Sequence, residues 1–201
     1  MTHGNWSRIG KGLSALAGIV VLAVALGGAL MMRHGLSARA EPTRVEAMIA
    51  RSARHFATPA PMRHARNPVS LTPAVLAEGR AHFADHCAAC HGNDGKGKGV
   101  MGALMYPRTP DMTLASTQSL SDGELFSIIE NGVRLTGMPA FGKGTAESAR
   151  ETWPLVHFIR HLPKVTPEEI AEMEKLNPKS PEEWRQMQEE AAFLAGDDGP
   201  K

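Results

Sequence analysis

Cys87-Ala88-Ala89-Cys90-His91 brings together the chain's only two cysteines and a histidine. Two thiols three positions apart can each form a thioether to one vinyl group of a porphyrin. The adjacent imidazole is then delivered to the iron as its proximal axial ligand. The C-x-x-C-H spacing reads as covalent attachment of one haem. A structural zinc site would need four protein ligands, and no second Cys pair exists. A redox dithiol of the thioredoxin kind belongs in a βαβ setting, and none is visible nearby. Thiols that end as thioethers rather than disulfides imply an oxidising compartment outside the cytoplasm.

Several elements must hold these groups in place. Thr72-Pro73 is a helix start, a hydroxyl N-cap with proline at the first helical position. The helix it opens runs through Leu76, Gly79, Arg80 and Phe83 and ends at the cysteines. Gly92 to Gly99 is too glycine-rich for helix or strand, and its spacing is not that of a phosphate-binding loop. Ser121-Asp122-Gly123-Glu124 is a capping box, predicting a helix to about Asn131 with Leu125, Ile128 and Ile129 as its stripe. Gly132 ends it. From Thr152 to Leu162 the apolar positions Leu155, Phe158, Ile159 and Leu162 define one helical face, closed by Pro163.

These features resemble the class I, single-haem cytochromes c over about Leu71 to Pro163. The resemblance implies an all-α cytochrome c fold, a small helical domain wrapped around one covalent haem c. In that family the N-terminal helix carries a small residue and an aromatic, here Gly79 and Phe83, and crosses the C-terminal helix closely. Trp153 and Phe158 stand in the aromatic positions of that C-terminal helix, and Phe158 is the expected partner of Gly79 and Phe83. A second motif, Thr136-Gly137-Met138-Pro139, resembles the loop in which the family presents its distal methionine. Met138 is thus the implied second axial ligand of iron, beside His91. Met101, Met105 and Met112 also fall in loop sequence but lack the flanking glycine and proline. Many members have Gly-Pro where this chain has Gly99-Val100. The proline carbonyl that would bond the ligand histidine's other nitrogen is missing, leaving Pro107 and Pro110 as candidates.

Outside this domain, Leu13 to Met32 is an apolar run preceded by a polar segment, residues 1–12. At ~1.5 Å per residue it spans about 30 Å, the thickness of a bilayer's hydrocarbon core. A cleaved signal peptide is the rival, with Ala38-Arg39-Ala40 as its small-residue site, but the run exceeds the usual apolar region of ~7–15 residues. An uncleaved anchor, 13–32, is expected, although Arg33, Arg39 and Arg44 on its C-terminal side oppose the positive-inside rule. Covalent haem attachment in bacteria is extracytoplasmic, so the domain is expected in the periplasm at the inner membrane. Residues 33–70 read as a linker. Within it Val45, Met48, Ile49, Ala53 and Phe56 follow a helical period, with Arg44, Arg51 and Arg54 between them. That helix is expected to pack on the domain; a basic helix lying on anionic lipid is the sharper alternative. Residues 164–201 form an acidic tail. Capping boxes at Thr166 and Ser180 predict two helices, with Trp184 and Met187 toward the domain and the charges on a solvated face.

The net charge of +1 gives no reason to expect nucleic acid, and no Ser/His/Asp set, paired carboxylates or nucleotide loop suggests an enzyme. His157 and His161, spaced i, i+4, read as two solvent-facing histidines in the absence of a third ligand. Iron held by two protein ligands has no open position for substrate, which suits electron transfer. The expectation is a membrane-anchored cytochrome passing single electrons between protein redox partners, in a respiratory chain or from a dehydrogenase. Two alternatives stay open: a haem sensor or small catalyst with a labile Met138, and a fixed electron-entry subunit of a larger oxidoreductase.

Overall fold

The computed structural model describes residues 3–34, 37–38 and 40–194, and these divide into two units at Ala40. Arg39 of the cleavage-like tripeptide lies outside the described residues, as do Asp197, Asp198 and Lys201 of the tail. Helices make up all the regular structure described, with no strand.

The first unit is helix α1, His3–His34. Its stretch Gly10–Leu30 has a mean hydropathy of 2.4 and is wholly unburied, so length and composition suit a membrane crossing.

The second unit begins with α2, Arg44–Ala57, which is capped by Thr43 accepting from the Glu46 amide. The prolines of 58–68 permit one further turn, α3, Ala60–Arg63. Helix α4, Pro73–His82, starts where the hydroxyl and proline predict, with Thr72 Oγ1 accepting from the Val75 amide. The chain then widens into a π-turn, Phe83–Cys87, before α5, Ala88–His91. A 3₁₀ turn at Gly102–Leu104 and the short α6, Ala115–Gln118, lead to α7, Asp122–Asn131. The Ser121–Glu124 capping box is complete, and Gly132 ends the helix at a φ of 63° that favours glycine.

Helix α8, Ala146–His161, starts at the Thr145 cap, earlier than its apolar face suggests, and carries Pro154 within it. It is the spine of the core. Leu155, Val156, Phe158 and Ile159 are buried on it with Leu162 beyond, against Phe83 and Ala84, and against Leu125 and Ile129 of α7. The Phe83 and Phe158 rings lie 5.2 Å apart, as the resemblance implies. Gly79, however, meets the Pro154 backbone: a Cβ there would strike the carbonyl oxygen. Trp153 stacks instead on Phe126, 4.2 Å away.

Three expectations change. His157 and His161 do not face solvent as a spare pair: His157 Nε2 bonds the Val69 carbonyl at 2.7 Å, and His161 Nε2 bonds Glu169 at 2.9 Å. Helix α2 does not pack its apolar face on the domain, because Val45, Met48, Ile49 and Phe56 are all exposed. The tail is only partly a solvated face. Helix α9, Pro167–Leu176, is opened by a complete Thr166–Glu169 capping box. It buries Met173 completely and reaches Arg80 of α4 through Glu169 and Glu172. Helix α10, Pro181–Leu194, keeps Trp184 and Met187 half-exposed.

Glu169 gives this docking a pH dependence. Burial raises its carboxyl, but His161, the Thr166 amide and Arg80 outweigh that, and its pKa lies below the ordinary value of 4.5. A depressed carboxyl contributes stability that is complete above the unfolded value and disappears as pH falls through the folded one. Acidification below about 4.5 should therefore loosen α9, seen as faster amide exchange in 167–176. Glu169→Gln should remove that pH dependence while weakening α9 at neutral pH.

Candidate functional site

The attachment pentapeptide straddles two kinds of helix. Cys87 closes the π-turn, and Cys90 and His91 occupy the last turn of α5. Widening the helix at 83–87 puts Phe83 and Ala84 in the core and Cys87 half-buried against it. The Phe83 ring lies 6.3 Å from that of His91. Gly92, at φ 73°, turns the chain immediately after His91, and the loop that follows folds back on α5. The Met101 amide bonds the Ala89 carbonyl at 3.0 Å. A Cβ on Gly99 or Gly102 would collide with carbonyls of Ala88, Ala89 or Cys90. These glycines are therefore required by close backbone approach, which glycine alone allows.

Burial fixes the protonation of the group. The Cys87 thiol is pushed up to about 12 by burial and by Cys90, and burial also raises Cys90. Among the described residues no cluster of three or more His, Cys, Asp or Glu could hold a metal ion. The His91 imidazole is pushed down to about 4 by burial, so it is neutral at physiological pH with a lone pair to give. Its Nδ1 is buried and meets no hydrogen-bond partner. Pro107, which follows a cis peptide bond, and Pro110 both leave it unpaired, so the two candidates for that bond are not used.

Met138 lies on the loop between α7 and α8, partly buried. Thr136 staples this loop: its Oγ1 donates to the Val133 carbonyl at 2.7 Å and accepts from the Met138 amide at 3.1 Å. The Val133 amide in turn bonds the Met138 carbonyl at 3.1 Å. Downstream, the Phe141 and Gly142 amides bond the carbonyls of Ile129 and Glu130. Glu130 is buried and accepts from Thr152 Oγ1 at 2.5 Å and Ser148 Oγ at 3.1 Å, tying the loop's exit to α8. Nothing in the local residues marks this carboxylate as buried, since a glutamate at a helix end ordinarily reads as solvated.

Two contacts bring the attachment turn and this loop together. The segment that lies on α5 through Gly102 continues to Met105, whose sulfur fills the space a side chain on Gly137 would need. The His86 and Phe141 rings meet edge-on at 6.4 Å. Met112 is core filler and Met101 is half-exposed. A broad groove of about 1010 Å³ lies elsewhere, lined by His82, His86, Glu151, Lys175 and Trp184. It runs from the C-terminal end of α4 to the start of α10, and neither His91 nor Met138 forms its walls.

Residues 74–159 match the family model described as cytochrome c oxidase, cbb3-type, subunit III. The segment is a class I c-type cytochrome domain. Among curated proteins no relative matches the chain. A cytochrome of this class binds haem c covalently, and its chemistry is haem-based electron transfer. The cytochrome's own residues fit that group. Two protonated thiols sit at thioether spacing on one helical segment beside a neutral imidazole, with a methionine on a stapled loop packed against the same stretch of chain.

Proposed function

We propose that this chain is a membrane-anchored monohaem cytochrome c that passes single electrons between redox partner proteins. Cys87 and Cys90 tether the haem, His91 and Met138 ligate its iron, and α1 holds the haem domain, 71–163, at the periplasmic face of the inner membrane. The observation that carries this reading is that segment 99–105 packs on the attachment turn at one end and the Met138 loop at the other. The haem supplies a one-electron couple. The protein's part is to present a neutral imidazole, a soft thioether and a dry, packed wall. With Nδ1 buried, Nε2 is the His91 nitrogen left for iron.

An intact mass of apoprotein plus one haem tests the tether, together with haem staining that survives denaturation; haem lost into acidified organic solvent would end the reading. Membrane association should resist a high-salt wash and yield to detergent, because apolar burial is not screened by salt. A soluble mature protein starting at Glu41 would overturn the anchor. The matched family's description favours one second reading, a fixed electron-entry subunit of a larger oxidoreductase. Stable co-purification with other subunits in mild detergent would decide for it.

A further inference from the structure

Helix α2 is built back to front for a helix that merely packs on a domain. Side chains from its two flanks reach the protein: Glu46 accepts from Tyr106 Oη at 2.5 Å, and His55, about half a turn round the helix from it, bonds Glu124 through Nδ1 at 2.9 Å. Ala47 and Arg54, one heptad apart, are its only half-covered positions, and no residue of the helix is buried. The opposite side carries Val45, Met48, Ile49 and Phe56, between 56% and 78% exposed. Exposed Arg44 and Arg51 run along one border of this stripe. An apolar stripe with a cationic border is the pattern of a helix lying in a membrane interface, apolar side in the acyl boundary and arginines at anionic headgroups. Chain length supports the same occupant. Residues 35–43 alone separate α1 from α2, so chain length by itself limits the start of α2 to about 40 Å from the apolar span's end.

We propose that α2 is a membrane-surface helix that seats the haem domain on anionic phospholipid through Val45, Met48, Ile49 and Phe56. Its link to Tyr106, next to the Met105 that packs on Gly137, makes the seating an orienting device for the domain. The proposal rests on α1 as the anchor for its geometry, and on α2's own face for its chemistry.

The test uses the full-length holoprotein in nanodiscs, with or without phosphatidylglycerol. Nitroxides are placed at Met48→Cys, Ile49→Cys and, as the control on another side of the helix, Ala50→Cys. Native Cys87 and Cys90 are blocked as thioethers, and an unchanged haem spectrum certifies each variant's fold. In anionic discs the Met48 and Ile49 labels should collide with oxygen far more than with a water-soluble nickel chelate, and the Ala50 label the reverse. Arg44→Glu with Arg51→Glu should reduce the lipid-seated population roughly tenfold or more. Equal water exposure at all three positions would overturn the proposal. So would spin–spin broadening between labels without lipid exposure, which would give the face to a second copy. Failure of the anchor looks different, because the protein then does not enter discs at all. In that case flotation with phosphatidylglycerol vesicles, abolished by Phe56→Asp, supports the surface helix, and absence of flotation overturns it.

Discussion

Met138→Ala should abolish the red-end band of the ferric protein, lower its reduction potential and open the ferrous iron to carbon monoxide. A thioether is a soft, neutral ligand that favours ferrous iron, and a Met/His pair sits at higher potential than harder sets. Removing it leaves water or an open position, depending on oxidation state. The loop gives reason to expect a clean result. Thr136 staples its entrance, and the Ile129 and Glu130 carbonyls hold its exit, so truncating the methionine side chain disturbs none of these backbone contacts. The other loop methionines supply controls. Met101→Ala should leave the band, the potential and the carbon monoxide behaviour nearly unchanged, since Met101 is half-exposed. Met112→Ala should reduce stability through a core cavity, by about 2–5 kcal/mol, without moving the band. Met105→Ala should leave the band in place but loosen it, because this sulfur packs on Gly137. If the native protein already binds carbon monoxide readily and Met138→Ala changes neither spectrum nor potential, the carrier reading gives way to a sensor with another distal ligand.

What was legible beforehand is what local chemistry determines. The boxes at Ser121 and Thr166 and the cap at Thr72 each act within one turn, and each opens its helix where the residues indicate. The Phe83–Phe158 pair was legible only through resemblance, since nothing in periodicity joins residues that far apart. What stayed hidden depends on partners remote in sequence. The π-turn at 83–87 leaves no composition signal; it is a register change that places Phe83 in the core and Cys87 at its edge. The first turns of α8 read Ala-Glu-Ser-Ala-Arg-Glu, too polar to look structural, yet Ser148 is buried there against Glu130. Pro154 looks like a boundary but sits inside the helix. The apolar stripe of α2 was visible, but periodicity says only that a face exists, not which way it looks. His161 and Glu169 show the same limit from the polar side, because each alone reads as solvated and their pairing needs α9 folded back on α8.

Gly79→Ala should cost more stability than its single methyl suggests. Helix propensity alone favours alanine by roughly 1 kcal/mol, so an open helical site would be stabilised by the change. Here the new Cβ would collide with the Pro154 carbonyl oxygen and crowd its carbon, and these are backbone atoms with no rotamer to retreat into. Pro154 already lacks an N–H, the core positions Leu155 and Val156 follow it directly, and Phe158 lies one turn on. Pushing α8 away would therefore also part Phe83 from Phe158. Overpacking of this kind costs about 1–3 kcal/mol, and occasionally more. The net expectation is loss of several degrees in melting temperature, with Gly79→Val unable to assemble a native domain. Because the same crossing carries the helix that ends at Cys87 and Cys90, holoprotein yield should fall along with stability. A thermal melt of purified Gly79→Ala holoprotein checks this. A melting temperature equal to or above the native value would mean that α4 and α8 do not cross on this glycine, and the packing described around Phe83 would have to be abandoned.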